Sequence, residues 1–555
     1  MRKSAGPSAK GLRVRAIAGT YVVLIAWDCD EAYCEGLLGF AIKRIGPDGE
    51  TRWLSGLKKF DLPQAVGGDD TTLSNPIQKF HWGDYTARSG CAYTYEVHAM
   101  GGTKGALASF DSVAVTVTCE DPKAVGGNGH AVHFNRSAAS SQAFARKFPD
   151  LPEGEVVDPE ARAWLSRGLA ESLIAFIDQA KEGEGLHLFL YEFGKPAYAE
   201  ALQKARKRKV KLEILHDAIL DQKGKGPVIE ARKLLAEFGL EDVAKDRVAD
   251  GIAISHNKFV VLTGTDGKAK AVWTGSTNFT DAGVYAQSNV GHAIVGPEPA
   301  GTYLKWHQTV WNDPTMACAD SRTKACEASI LPDIAASPSG TTVVFSPRKT
   351  TEAIALCAAL VGEAKKMICF TAPFPLHDDI ESALIESPAQ VFGLLNRRGV
   401  VGPELAGAPN TSLAAASAFN QASILEAWQE RMLDRLRAES LHHSGVFIHT
   451  KIILIDPLSD NPVVVTGSAN FSNNSSRNND ENQLFIFGEC EVADVYIGEF
   501  MRMFDHYYYR DHLKMLKAQE ISDPKAAYLD ETDAWTKSYF NGGERERART
   551  AFFPD

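Results

Sequence analysis

The sequence predicts an α/β protein of two related lobes preceded by an all-β unit. Three observations carry this reading. Short alternating strands fill the first 120 residues. A helix–strand rhythm begins near residue 143 and restarts after Pro332, and one motif occurs twice, once in each rhythmic stretch. A chain of 555 residues also exceeds one ordinary hydrophobic core, so two to four domains are expected.

In residues 1–120, Leu12, Val14 and Ala16 alternate with other residues, and Tyr21–Trp27 is a β-branched and aromatic run. Phe40–Ile45 and Thr51–Leu54 flank the turn Gly46-Pro47-Asp48-Gly49. Tyr93, Tyr95 and Val97 alternate, as do Val113, Val115 and Val117. Such strands resemble a fibronectin type III or immunoglobulin-like β-sandwich. The unit shows no cluster of titratable groups, so it is expected to bind a partner, protein or glycan, or to be passive.

Residues 121–142 read as a linker, opened by Gly126-Gly127-Asn128-Gly129. Lobe 1 is assigned to 143–331, with helices Glu160–Ala180 and Ala197–Arg208 and strands Leu186–Tyr191 and Val210–Leu215. Lobe 2 is assigned to 332–555, with strand Thr341–Phe345, helix Thr350–Ala364 and strand Met367–Thr371. An insertion over 376–445, with a helix at Ser423–Glu439, is expected to supply a lid or substrate loop. Val492–Met515 reads as a helix, and the tail with Trp535, Tyr539, Phe552 and Phe553 is expected to pack back on the body.

Net charge is −11, nearly all of it carried beyond residue 330. This tilts against an extended polyanion-binding surface without excluding a basic cleft. The run Lys204-Ala205-Arg206-Lys207-Arg208-Lys209 reads as a solvated helix end rather than a binding patch. Nine cysteines without zinc-ligand spacing read as reduced thiols, with a Cys318–Cys326 bridge as the alternative. The longest apolar run, Ala16–Trp27, is too short to span a bilayer, and no secretory leader is recognisable. The expected location is cytoplasmic, or exported without a signal peptide.

The repeat concentrates the chemistry. Around residue 256 the chain reads ISHNKFVVLTG, followed by WTGSTNFTDAGVYAQSNVGHAIV. Around residue 449 it reads FIHTKIILID, followed by VTGSANFSNNSSRNNDENQLFIF. Each copy places His-x-Lys at an apolar strand and Gly-Ser-x-Asn-Phe-[Ser/Thr] after a turn. A lone copy is weak evidence, whereas two with near-equal spacing are strong.

This pattern resembles the phospholipase D superfamily, with its twice-used HxK(x)4D and GSxN. The second copy matches in full, through His449, Lys451, Asp456, Gly467, Ser468 and Asn470. The first has Thr263 where the acid would stand, as in the tyrosyl-DNA phosphodiesterase branch. The resemblance implies a bilobal fold with the site at the seam of two pseudo-twofold lobes. It also implies that Asp456 is structural, that neither metal nor cofactor is used, and that a second subunit is not needed to complete the site.

A phosphodiester is anionic, so a catalyst must neutralise its non-bridging oxygens. Lys258 and Lys451 supply charge, and Asn278 and Asn470 amide donors. Ser276 and Ser468, beside Gly275 and Gly467, are expected to bring further donors to the phosphate. Two histidines can divide nucleophile and acid between them. If Gln287 orients His256 and Glu481 orients His449, the amide leaves His256 with the lower pKa and makes it the nucleophile. His449 would then be the acid, and His292, His442 and His443 bystanders. Family precedent also makes the N-terminal histidine the nucleophile. The expected intermediate is a phosphohistidine, resolved by water or an alcohol that His449 activates.

Two substrate classes remain open. The GSxNF[ST] signature and polar loop are similar to bacterial endonuclease members, which favours nucleic acid. Acidic charge and the apolar-bearing insertion suit a phospholipid headgroup. A scaffold with a vestigial site is the weakest reading, since both histidines and all four Lys/Asn ligands are present.

Overall fold

The computed structural model describes residues 1–56, 58–60, 71–122, 129–136, 147–148, 158–220, 224–416, 448–518 and 528–553. The N-terminal strands form two antiparallel four-stranded sheets. In one, Arg2–Ala5, Arg13–Ala18, Val23–Asp28 and His81–Asp84 lie side by side; in the other, Thr51–Trp53, Gly39–Ile45, Ala92–Thr103 and Ala106–Thr118 do. Val14, Ile25, Trp27, Phe40, Tyr95 and Val97 share the core between the sheets, while the other face of Val23–Asp28 turns Leu24 and Ala26 into the core of the lobes. Trp535 and Tyr539 of the C-terminal tail join that core, and Trp535 Nε1 donates to the Leu37 carbonyl at 2.9 Å.

Beyond it stand two seven-stranded mixed sheets of matching order. Lobe 1 runs Ala244–Arg247, Lys211–Asp217, Gly185–Leu190, Lys258–Thr263, Ala269–Gly275, Val290–Val295, His130–Phe134. Lobe 2 runs Thr411–Ala415, Gln390–Leu395, Met367–Ala372, Ile453–Ile455, Val463–Gly467, Glu481–Phe487, Gly340–Ser346. In each, three parallel strands meet an antiparallel hairpin whose first strand carries the motif lysine or begins two residues after it. Phe189, Phe259, Val261 and Val272 from lobe 1 and Phe345, Cys369, Leu454 and Leu484 from lobe 2 share one core, with Tyr303 and Trp306 of helix Pro297–Asn312. The mixed α/β, two-lobed expectation is met.

Several sequence expectations are corrected. His130–Phe134, placed in the linker, is the edge strand of the lobe 1 sheet, paired with Val290–Val295. The single helix expected over Glu160–Ala180 is two, Pro159–Ser166 and Leu169–Asp178, because Arg167 and Gly168 take φ of 48° and 91°. The first part of the expected insertion continues the fold. Gln390–Leu395 and Thr411–Ala415 extend the parallel sheet, so Phe392, Leu394 and Leu395 are core residues rather than loop contacts. The helix at Ser423–Glu439 lies outside the described residues, as do 123–128 and 137–142 of the linker. Cys318 and Cys326 lie eight positions apart in one helix, Cys318–Ala328, hence about 12 Å apart along its axis, and both are free thiols. Among the described residues, no helix is long and apolar enough to cross a membrane.

Other expectations hold in detail. Helix Cys490–Ala518 covers Val492–Met515. Phe552 packs on Phe392 and stacks on His81, with ring centroids 5.8 and 4.0 Å apart. Four members of the basic run are paired with acids: Lys204 with Glu200, Arg206 with Asp242, Arg208 with Asp178, and Lys209 with Glu182.

Candidate active site

Both motifs converge on the seam between the sheets. The chain enters Lys258–Thr263 from His256, and at the equivalent place in lobe 2 His449 precedes Ile453–Ile455. Two short cross-lobe bridges hold these entries: Ser255 pairs with Asp480, and Ile448 with Ser288. The imidazole centroids lie 6.5 Å apart. Lys258 Nζ donates to the His256 carbonyl and Lys451 Nζ to the His449 carbonyl, each at 2.6 Å. Every one of these four side chains is buried.

Close packing dictates the glycines. Gly275 and Gly467 take φ of +135° and +142°, and a Cβ would lie 2.2 Å from the Val290 carbonyl oxygen in one and 2.4 Å from that of Asn482 in the other. The serines beside them do not face the phosphate site, which corrects the sequence reading. Ser276 Oγ donates to Asn289 Oδ1 at 2.8 Å and accepts from the Val290 N–H. Ser468 Oγ donates to Glu481 Oε2 at 2.7 Å and accepts from the Asn482 N–H. Fully engaged this way, the hydroxyls hold the partners of the histidines.

Those partners cross between lobes. His256 Nδ1 meets Glu481 Oε2 at 2.8 Å, and His449 Nδ1 meets Asn289 Oδ1 at 2.9 Å. The expected pairing within each lobe is therefore wrong, and Gln287 is not the lobe 1 counterpart of Glu481. Gln287 contributes its backbone carbonyl, which accepts from Asn135 Nδ2. The overlooked residue is Asn289, and its signal was spacing: Ser276 to Asn289 and Ser468 to Glu481 each span 13 residues. Asn289 Nδ2 donates to the Gly283 carbonyl, which turns Oδ1 toward His449 and makes the imidazole Nδ1 the donor.

Electrostatics depart from expectation too. Burial, then Lys258 and Lys451, pushes His256 well below its ordinary pKa. Burial, then the same lysines and His256, does so for His449. Burial raises Glu481 to about 7 and lowers Lys258 to about 7. An anion bound between the lysines offsets their repulsion and favours imidazolium.

Asn278 Nδ2 donates to Glu192 Oε2 at 2.7 Å, while Oδ1 of Asn278 and of Asn470 are buried without a partner. Glu192, which burial pushes above the usual carboxylate range, and Tyr191 follow strand Gly185–Leu190 into the site. The Tyr191 ring lies 4.8 Å from His256 and 5.0 Å from Lys258 Nζ. Neither was singled out by sequence, because neither belongs to a repeated pattern. Asp456 accepts three backbone N–H groups, from Lys365, Lys366 and Met367, at 2.7–2.9 Å, and so pins a strand start away from the imidazoles. Thr263, its counterpart, lies equally outside the seam, at the far end of strand Lys258–Thr263. His292 bonds His130 and Tyr496 rather than either motif histidine; His442 and His443 lie outside the described residues.

No curated protein matches the chain in sequence. Among solved structures, phosphatidylserine synthase from Haemophilus influenzae Rd KW20 aligns over 66% of this chain and 94% of its own, at 11% identity and TM-score 0.40. Nuc, a phospholipase D family member from Salmonella typhimurium, aligns over 26% of this chain and 86% of its own, at 28% identity and TM-score 0.21. Polyphosphate kinase from Porphyromonas gingivalis aligns over 58% of this chain but only 43% of its own, at 10% identity and TM-score 0.39. The family model for the cardiolipin synthase PLD-like domain matches residues 173–311 and 360–504, one stretch in each lobe. With more than half of its length matched in two repeats, the chain belongs to the phospholipase D superfamily of enzymes acting on phosphodiester bonds.

Proposed function

We propose that the chain hydrolyses phosphodiester bonds of nucleic acid in two steps through a phosphohistidine on His256. The observation that carries this is the crossed pairing at the seam. His256 donates Nδ1–H to the Glu481 carboxylate, leaving an Nε2 lone pair to attack phosphorus. The carboxylate then stabilises the positive charge the ring gains as the P–N bond forms. His449 rests on a neutral amide, so its imidazolium is the stronger acid and gives its Nε2 proton to the leaving oxygen as the P–O bond breaks. Water then attacks phosphorus, His449 takes its proton, and the P–N bond breaks. Lys258 and Lys451 balance the phosphate charge, with Asn278 and Asn470 as amide donors. His256 thus keeps the role first assigned to it, for the opposite electrostatic reason.

Aromatic flanks support the choice of substrate. Tyr191 lies beside His256, and Phe374, 44% exposed, stands two residues past strand Met367–Ala372, the position Glu192 holds after Gly185–Leu190. Tyr191 offers a ring on which a base beside the scissile phosphate can stack. A phospholipid is the second reading, favoured by exposed Leu220, Val248 and Phe374, each just beyond a sheet strand in the half of the fold that leads to the seam.

The test is cleavage of single- and double-stranded DNA and RNA in excess chelator, beside phosphatidylglycerol vesicles, with quenched samples assayed for acid-labile, alkali-stable protein-bound phosphate. Wild-type cleavage of oligonucleotides with labelled protein, both absent in His256→Ala, is the expected result. Cleavage by His256→Ala overturns the assignment. Turnover of vesicles alone overturns the nucleic-acid reading and leaves the phosphohistidine chemistry in place.

A further inference from the structure

On the same lobe 1 sheet, but away from the seam, three side chains meet that phosphodiester chemistry does not use. His187 and Glu213 are direct register partners on the parallel strands Gly185–Leu190 and Lys211–Asp217, so both project to one face. His307 comes down on that face from helix Pro297–Asn312. His187 Nδ1 lies 2.8 Å from Glu213 Oε2, and His307 Nδ1 lies 3.6 Å from the same oxygen. The three ligand atoms all fall within 4.8 Å of one another.

Two further observations point to a ligand there. His307 is fully buried, yet neither ring nitrogen makes a well-formed hydrogen bond; the Leu188 and Glu213 backbone are its polar neighbours. A contact of 3.6 Å is too long to count as one, and an unsatisfied buried polar side chain is costly. The second observation is Thr263. It stands where the second motif has Asp456, and its Oγ1 lies 3.2 Å from His187 Nε2. With Nδ1 on a metal, the His187 proton sits on Nε2 and Thr263 accepts it. That is the outer partner a ligating histidine needs to fix its tautomer.

We propose that His187, Glu213 and His307 form a binding site for a divalent transition metal of the zinc class, oriented by Thr263. Two imidazoles and a carboxylate are a three-ligand zinc set, and Glu213 is 31% exposed, leaving a water-accessible fourth position. His187 lies five residues before Glu192 on the chain, about 16 Å along an extended strand, so the ion takes no part in phosphoryl transfer. It fastens two strands of the sheet to the helix above them.

The full-length chain, stripped with chelator and dialysed, is titrated with Co²⁺ while visible absorption is followed. Saturable uptake at one site with intense tetrahedral d–d bands is expected, with displacement by Zn²⁺. His187→Asn and Glu213→Gln should each abolish the bands. Thr263→Val should keep the spectrum and weaken affinity by about 10–100-fold. Absence of bands in the wild type, or their persistence in both ligand variants, overturns the proposal. X-ray absorption of the zinc-loaded wild type needs no variant: two imidazoles with oxygen donors are expected, and sulfur in the coordination shell overturns the assignment. No readout depends on turnover, so this site and the proposed substrate fail or stand separately.

Discussion

Glu481 and Lys258 face each other across the seam with pKa values drawn toward neutrality from opposite sides. The nucleophile needs the Glu481 carboxylate, which is lost as pH falls through about 7. The phosphate needs the Lys258 ammonium, which is lost as pH rises through about 7. The profile of kcat/KM should therefore be a bell centred near neutrality, its limbs reporting the coupled pair. Glu481→Gln should flatten the acid limb and lower kcat/KM by about 10²-fold or more; a profile unchanged in shape would remove Glu481 from this role. At this scale the sequence showed which groups meet but not how they pair. His256, Lys258, His449 and Lys451 stand in a repeated pattern, whereas the His–Glu and His–Asn contacts join residues 225 and 160 positions apart. Only the docked lobes determine those contacts, and so pairing within a lobe was the natural but mistaken inference.

Among elements, the turn carrying each Gly-Ser-x-Asn is the most constrained. A methyl at Gly467 would press on the Asn482 carbonyl in a backbone conformation that L-residues avoid. Gly467→Ala should destabilise the chain by at least about 2 kcal/mol, measured by denaturant unfolding; a value near zero would mean that the turn yields freely. Strands with period-two patterns, such as Arg13–Ala18 and Gly340–Ser346, were legible within a residue or two. The strand His130–Phe134 was not. It stands alone between Gly- and Ser-rich stretches, and its partner, Val290–Val295, is contributed some 160 residues later. The break at Arg167-Gly168 was hidden because apolar periodicity runs straight across it.

Over the whole molecule, buried contacts tie distant segments. Arg247 of lobe 1 and Asp480 of lobe 2 form an ion pair with neither side chain accessible, Nε to Oδ2 2.9 Å, and Ser255 Oγ also donates to Asp480. Asp480→Ala strands the guanidinium and should cost about 3–5 kcal/mol, with lower activity because Ser255 precedes His256. A chain that melts as wild type does would contradict this. The tail is the second tie. Trp535 sits in the N-terminal core while Phe552 packs on lobe 2, so Trp535→Ala should cost about 3–5 kcal/mol and open the β unit to limited proteolysis before the lobes. The aromatic content of the tail announced that it packs, but not that it bridges two bodies.

The crossed partners of the histidines have a consequence for how such a protein can change over time. Each lobe completes the other's reactive group, so one lobe without a second docked on it lacks the partner of its own histidine. A substitution at residue 289 or 481 is felt by the opposite histidine, and the copies cannot drift apart independently. Their division of labour is written in one asymmetry, amide against carboxylate. Exchanging the two, with Asn289→Asp and Glu481→Gln together, should move the covalent phosphate from His256 to His449.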